Sequence, residues 1–321
     1  MVRKIVYPDA DEKSAQLITS GRLAKLESLG EFKIYCDEEE PDDAAFIERL
    51  ADADAAISGW GLSNAVLAAL PKLEIISFTG LGVSTFIDIA EASRRNITVT
   101  HTLSAAETIA EHTMALMLDA ARQVSRLDRD LRKGFWNTDL YAMDLRGKTL
   151  GLVGFGRIAA ALAPLAQAFG MKISCWTRNP TRERAALHGI EFTDLEQLLK
   201  TSDVISLHLL STAETDGLLD ADRLRSIKQG ALLINTARSS LLDEDALADL
   251  LRSGHLGAAG IDVFDDEPVS PNHPFLELDN VVMTPHVAYN TPEALADMYD
   301  TAIDNLVAFY AGKPQNVATV P

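Results

Sequence analysis

Residues 149–159 read TLGLVGFGRIA, and no other stretch limits the fold as strongly. An apolar run over 150–153 breaks into Gly154-Phe155-Gly156, and Arg157-Ile158-Ala159 opens a helical pattern that stops at Gly170. Strand, tight turn and helix follow one another without a spacer. In such a unit the first glycine permits the turn, the second lets a pyrophosphate approach the backbone, and the third small residue, here Ala159, lets helix and strand pack closely. The free N–H groups and the positive dipole end of the helix then attract phosphate. A second strand at 172–176 completes the unit. Gly154, Phe155, Gly156, Arg157 and Ile158 are therefore candidate contacts to a dinucleotide.

At 321 residues the chain exceeds one ordinary domain and suits two. From residue 3 to about 101, short strands (4–7, 32–36, 55–58, 74–77) alternate with helices (14–29, 44–51, 64–69), which implies a parallel sheet covered on both faces. The last of these strands runs into Phe78-Thr79-Gly80-Leu81-Gly82. A helical stretch over 105–131 repeats Ala110, Met114, Met117, Leu118 and Ala121 at three- and four-residue steps, the signature of one buried face. It is expected to join the two domains. An irregular arm over 132–146 carries Trp136 and Tyr141 and is expected to form a subunit interface.

After the glycine turn, strands at 150–153, 172–176, 204–207, 231–235, 258–263 and 281–284, with helices such as 195–200 and 244–252 between them, predict a doubly wound sheet. Near the end Thr291 can cap a helix, Pro292 and Glu293 suit its first turn, and Gly312-Lys313-Pro314 ends it. Its apolar residues Leu295, Met298, Ile303, Leu306 and Val307 need a face to cover, and the first domain is the available partner. The chain would then cross between domains near His101 and again near His286. The expected division is 1–101 plus 287–321 for one domain and 102–286 for the other, with an active-site cleft between them.

A hydrophobic content of 47% and a charged content of 24% are those of a chain able to bury a full core. The net charge of −18, with a dense acidic run over 37–43 read as a solvated loop, argues against nucleic-acid or anionic-membrane partners, which need a basic face. Cys36 and Cys175 lie far apart and outside any metal-binding spacing, so neither a disulfide framework nor a metal site is expected. Residues 1–7 read as a strand and no apolar run nears the roughly 20 residues that span a bilayer, so a cytoplasmic protein is expected.

Three further segments, INTARSSLLD at 234–243, GIDVFDDEP at 260–268 and MTPHVAYNT at 283–291, follow the glycine turn in an order that closely resembles the D-isomer-specific 2-hydroxyacid dehydrogenases. Glu111-His112-Thr113 and Leu145-Arg146-Gly147-Lys148 extend the resemblance over nearly the whole chain. It implies two doubly wound parallel-sheet α/β domains, a Rossmann cofactor domain inserted into a discontinuous flavodoxin-like substrate domain. It also implies an oxidoreductase moving a hydride between NAD(P)H and a small 2-keto acid, and a homodimer.

A hydride reaching a carbonyl carbon leaves negative charge on oxygen, so a proton donor must stand within hydrogen-bond reach. Imidazole suits that task near neutral pH, and an adjacent carboxylate stabilises the imidazolium and fixes the tautomer. His286 and Glu267 match the family's acid/base pair, and Arg238 matches its carboxylate-binding arginine, a planar donor that can grip in a fork. By the same resemblance Gly80, Leu81 and Gly82 offer backbone N–H groups to the substrate carboxylate. Thr108, Thr236, Ala237 and Asp262 lie at the nicotinamide end. His101, His112, His188, His208, His255 and His273 lack such company and are read as structural or as cofactor-wall residues.

Where NAD-preferring members carry an acid after the second strand, this chain has Thr177-Arg178-Asn179, with Arg182 and Arg184 close behind. Arg178 can bind a 2′-phosphate that an acid would repel, which favours NADP over NAD. Several positions depart from the family pattern: Ser239 replaces the glycine after the arginine, Leu210 replaces a proline, Tyr289 stands where small residues are common, and Trp60 stands where phosphoglycerate-type members place an arginine. Trp60 and Tyr289 are candidate substrate-pocket walls. Glyoxylate or hydroxypyruvate reduction is the reading these features favour. The alternatives are 3-phosphoglycerate oxidation and, from another class, a dinucleotide-sensing corepressor-like module.

Overall fold

A strand whose every residue is apolar can be satisfied only in a sheet covered on both faces. The computed structural model, which describes residues 2–319, contains two such sheets in two units, Met1–Ala105 with Thr291–Pro321, and Ala106–Asn290. In the first unit β1 (Lys4–Ala10), β2 (Glu31–Cys36), β3 (Ala55–Ser58), β4 (Ile75–Phe78) and β5 (Thr98–Thr100) pair in parallel in the order β2-β1-β3-β4-β5. That is the flavodoxin-like order. Successive side chains alternate between two cores. Ile5, Tyr7, Ile57 and Ile75 meet Tyr299, Ile303 and Leu306, while Val6, Ala56 and Ile76 meet Phe46, Leu50, Val66 and Leu67.

The last helix, Pro292–Tyr310, belongs to this unit; the Thr291 hydroxyl accepts from the Ala294 N–H, and proline sits in the first turn. Tyr299, Ile303 and Leu306 are buried on the sheet and Met298 and Ala302 are also buried, but Val307 is 37% exposed. The helix expected over 14–29 is two helices, Glu12–Gln16 and Ser20–Leu29, with Thr19 extended between them. Arg22 makes that break tolerable: its Nη1 donates to the Leu17 carbonyl at 2.7 Å, and its Nε and Nη2 donate to Asp300. β5 and the helix before it, Ile89–Arg94, are additions to the expected elements. In the acidic run, Asp37 pairs with Arg49 and Asp42 caps the helix Asp43–Leu50.

The second unit holds β6 (Thr149–Val153), β7 (Lys172–Trp176), β8 (Glu191–Phe192), β9 (Val204–Leu207), β10 (Leu232–Asn235), β11 (Ala258–Ile261) and β12 (Val281–Met283). All pair in parallel, in the order β12-β11-β10-β9-β6-β7-β8. The two-residue β8 is one strand beyond the six expected. Helices Ala106–Arg122 and Arg157–Ala168 cover one face; Leu195–Thr201, Ala221–Ser226 and Glu244–Arg252 cover the other.

The helical stretch expected over 105–131 breaks at Gln123, which is left-handed at φ 54°, and resumes as Val124–Arg132. Asp119 sets the break by accepting the Ser125 N–H at 2.8 Å and the Ser125 hydroxyl. In the arm that follows, Phe135, Trp136 and Tyr141 are exposed. Among the described residues no helix is long and apolar enough to cross a membrane.

One buried acid marks the loop after β3. The Asp9 side chain, at the end of β1, accepts from the Ser58 hydroxyl at 2.8 Å, the Gly59 N–H at 3.1 Å and the Trp60 N–H at 2.9 Å, all on Oδ2. Burial pushes its carboxyl up to about 6 against the pull of those donors. The fold thus prefers protonated Asp9. Its contribution is complete below about pH 4 and is lost as pH rises through about 6, a change on the order of 3 kcal/mol. Denaturation midpoints of wild type and Asp9→Asn, compared from pH 4 to pH 7, should diverge in favour of the variant as pH rises; a constant difference would contradict this.

Candidate active site

Doubly wound sheets bind ligands beyond the C-terminal strand ends, where the strand order reverses. In the second unit the chain runs from β6 outward to β7 and β8, then returns to β9 on the other side of β6. The glycine turn leaves β6 at that reversal. Gly154 has φ +97°, and a Cβ there would lie 2.5 Å from the His208 carbonyl oxygen. Gly156 is different: a Cβ there would meet no protein atom within 4 Å. The backbone at Gly156 is open to an approaching group, and Gly156 caps the helix Arg157–Ala168 without a side chain, so the first-turn N–H groups are available to an anion. This turn fits a dinucleotide pyrophosphate.

Beyond β7, Thr177 is half-buried and Arg178 is exposed, its Nη1 2.9 Å from Glu214 Oε2. An exposed pair of this kind is held weakly, which leaves the guanidinium available to a stronger anion. Arg184 is committed elsewhere, donating to the carbonyls of Phe155 at 2.6 Å and Asn179 at 2.7 Å. It braces the turn.

Three adjacent strands carry the charged residues. At the end of β10, Asn235 is 1% exposed and clamps the next turn: its Nδ2 donates to the Arg238 carbonyl at 2.9 Å, and its Oδ1 accepts from the Ala237 N–H at 3.0 Å. Arg238 follows in extended conformation, with Nη1 donating to the Ala237 carbonyl at 2.6 Å. Burial disfavours the charge on its guanidinium, and the Glu267 carboxylate opposes that shift. After β11, Glu267 accepts the Phe264 N–H on Oε1 at 2.9 Å, and its Oε2 lies 2.7 Å from His286 Nδ1. With Nδ1 engaged, Nε2 is the nitrogen left to exchange a proton. His286 follows β12 with a left-handed backbone at φ 51°, and its ring stands edge-on to Tyr289, centroids 6.4 Å apart.

Arg238, Glu267 and His286 thus occupy the ends of β10, β11 and β12. Thr236 is buried, its hydroxyl 2.8 Å from that of Thr113, and Thr108 is half-buried on the helix Ala106–Arg122. Ser239 opens a single 3₁₀ turn at no backbone strain, so the departure from glycine there is accommodated. Trp60, 49% exposed, and Gly80, Leu81 and Gly82 belong to the first unit, beyond β3 and β4.

The remaining histidines of the second unit fall into packed positions. Burial lowers His208 to about 4, which keeps it neutral beside Ser206. His188 stands edge-on to Phe155, His255 contacts the Ile227 carbonyl, and His273 sits between Phe264 and Phe275 with Glu244 at 3.2 Å. His112 is the exception, reaching Thr284 at 2.9 Å. Asn235 has no functional reading in the sequence, and His112 reads there only as a structural or cofactor-wall residue within the Glu111-His112-Thr113 motif. The only available signal was the strand-end position of Asn235. Among the described residues no group of three His, Cys, Asp or Glu side chains is placed to hold a metal ion.

Residues 114–288 match the model of the NAD-binding domain of the D-isomer specific 2-hydroxyacid dehydrogenases, and the chain belongs to that family. It is 38% identical to a glyoxylate reductase of Korarchaeum cryptofilum over 304 residues, covering 92% of this chain and 91% of the relative. It is 40% identical to a D-3-phosphoglycerate dehydrogenase of Mycobacterium leprae over 258 residues, which is 79% of this chain and 48% of that longer protein. Among solved structures, an NADPH-dependent glyoxylate/hydroxypyruvate reductase of Sinorhizobium meliloti in complex with NADP and malonate superposes with a TM-score of 0.87 at 29% identity, covering 99% of this chain and 97% of the other.

The two turn glycines should respond differently to substitution. Gly154→Ala should lower stability by roughly 2 kcal/mol or more, because a positive φ and a backbone clash coincide. Gly156→Ala should leave the melting temperature within about a degree and weaken dinucleotide binding, since only a ligand competes for that space. Calorimetry and dinucleotide titration of both variants check this; equal losses of stability would refute it.

Proposed function

We propose that this protein reduces a small, unphosphorylated 2-keto acid of the glyoxylate or hydroxypyruvate type to the D-2-hydroxy acid, with NADPH preferred over NADH. The observation that carries the reading is the His286–Glu267 pair, Nδ1 to Oε2 at 2.7 Å, beside Arg238 at three adjacent strand ends of a family dehydrogenase. The reduced nicotinamide, when bound, supplies the hydride.

The rest is the work of this chain. Arg238 grips the substrate carboxylate in a fork and polarises the C2 carbonyl. His286 Nε2 delivers a proton to the carbonyl oxygen as charge develops there, and Glu267, holding Nδ1, stabilises the imidazolium before transfer. Gly80, Leu81 and Gly82 are assigned as N–H donors to the carboxylate, and Trp60 and Tyr289 as pocket walls.

At the cofactor, residues 154–158 hold the pyrophosphate, Thr177 and Arg178 the 2′-phosphate, and Thr108, Thr236 and Ala237 the nicotinamide end, while Asp262, matched to that end by its motif, is 0% exposed and supports it from beneath. The domain roles follow: the unit containing the glycine turn binds the dinucleotide, and the other binds substrate. The exposed Trp136 and Tyr141 support a homodimer built through the arm, and two unpaired cysteines suit a cytoplasmic setting.

A 3-phosphoglycerate substrate is the second reading, favoured by the 40% identity to the mycobacterial enzyme. Trp60 weighs against it, because an indole brings no charge to a phosphate.

His286→Ala should lower kcat roughly 10²–10⁴-fold while NADPH affinity changes less than about twofold; a kcat within about threefold of wild type would remove the acid/base assignment. Arg178→Ala should raise the KM for NADPH roughly 10–100-fold and leave that for NADH nearly unchanged, the loss of a charge-assisted contact to phosphate. Equal effects on both cofactors would mean that Arg178 is only a surface charge.

A further inference from the structure

Asp262, at the end of β11, is 0% exposed. A carboxylate buried so fully must be given hydrogen-bond donors, and the source of those donors shows what the charge organises. All of them come from one segment. Its Oδ1 accepts from the Thr284 hydroxyl at 2.6 Å and the Val287 N–H at 3.0 Å, and its Oδ2 accepts from the Ala288 N–H at 3.0 Å. The Asp262 carbonyl also accepts the His286 N–H at 2.8 Å. Four hydrogen bonds therefore bracket His286 on both sides. That residue is neither glycine nor asparagine, yet its φ is 51°. A backbone of this kind persists only where its surroundings over-determine it, and the Asp262 carboxylate supplies the determination.

The network extends one step further. A hydroxyl has a single hydrogen, and Thr284 uses it on Asp262, so the His112 Nε2 at 2.9 Å must be the donor to Thr284. That fixes the His112 tautomer with its hydrogen on Nε2. His112 belongs to the helix Ala106–Arg122, which covers one face of the sheet and packs against β10 and β11. The chain of hydrogen bonds runs from a core helix, through Thr284, into the residue around which the His286 loop is wound.

We infer that Thr284, oriented by His112, is a positioning residue for His286, acting through Asp262 to hold the left-handed loop that aims the proton donor. Neither side chain need touch substrate or nicotinamide. The inference rests on the assignment of His286 as acid/base residue, and a displacement of about 1 Å in such a group is enough to cost roughly 100-fold in rate.

The test compares Thr284→Val, Thr284→Ser, His112→Phe and the double variant Thr284→Val/His112→Phe with wild type and His286→Ala. Steady-state kinetics would be measured with glyoxylate and with NADPH carrying deuterium at the transferred position. Thr284→Val should lower kcat roughly 10–100-fold, leave the NADPH dissociation constant within about twofold, and raise the deuterium isotope effect on kcat as hydride transfer becomes limiting. Thr284→Ser should restore wild-type values. His112→Phe should reproduce the effect in part, and the double variant should be no slower than Thr284→Val, because the two residues act in series. A lowered melting temperature with unchanged kcat and isotope effect would reduce Thr284 to a packing role and overturn the inference, as would additive losses in the double variant. An active His286→Ala would instead overturn the acid/base assignment itself, so the two failures are separable.

Discussion

The central strands of a parallel sheet with helices on both faces have no room for a charge, and that exclusion organises the second unit. β9, β10 and β11 are buried at every position, so their polar residues are displaced to the C-terminal ends. There the chain must satisfy what it has buried. Asn235 does so by clamping the turn that presents Arg238, and Asp262 by gathering the loop that presents His286. Chemistry at these strand ends is therefore a consequence of how the sheet is built. The same backbone pairing continues past the strands, with Asp262 N–H donating to Asn235, Thr284 N–H to Ile261 and His286 N–H to Asp262. The loops that carry Arg238 and His286 are pinned as extensions of the ladder.

The dinucleotide end follows a different logic, in which space matters more than charge. Gly154 is required by its own fold, since both its φ and the His208 carbonyl forbid a side chain. At Gly156 a Cβ would meet no described protein atom within 4 Å. That asymmetry points to a ligand more directly than the sequence pattern does, because it separates the glycine that makes the turn from the one that keeps it open.

Much of this was legible in the sequence, and the reasons are physical. The glycine turn, the strand runs and the Thr291-Pro292 helix start carry local signals that need no tertiary information. The two sheets and the residues Arg238, Glu267 and His286 could be named for that reason, helped by the ordered motifs of a known family. What escaped is what depends on distant partners. The break at Gln123 depends on Asp119 capping the next helix, and the break near Thr19 depends on Arg22 reaching both Leu17 and Asp300. β5 and β8 are too short to show a period. His112 looked like an ordinary helix residue, because its partner Thr284 lies 172 positions away.

A reductase site for a small keto acid served by NADPH is the function proposed for these strand ends. The most direct measurement follows absorbance of NADPH and, separately, NADH with glyoxylate, hydroxypyruvate and 3-phosphohydroxypyruvate as oxidants. Fastest oxidation of NADPH with one of the two unphosphorylated acids is the result expected. Preference for NADH with the phosphorylated acid, or no turnover with any of the three, would contradict the account.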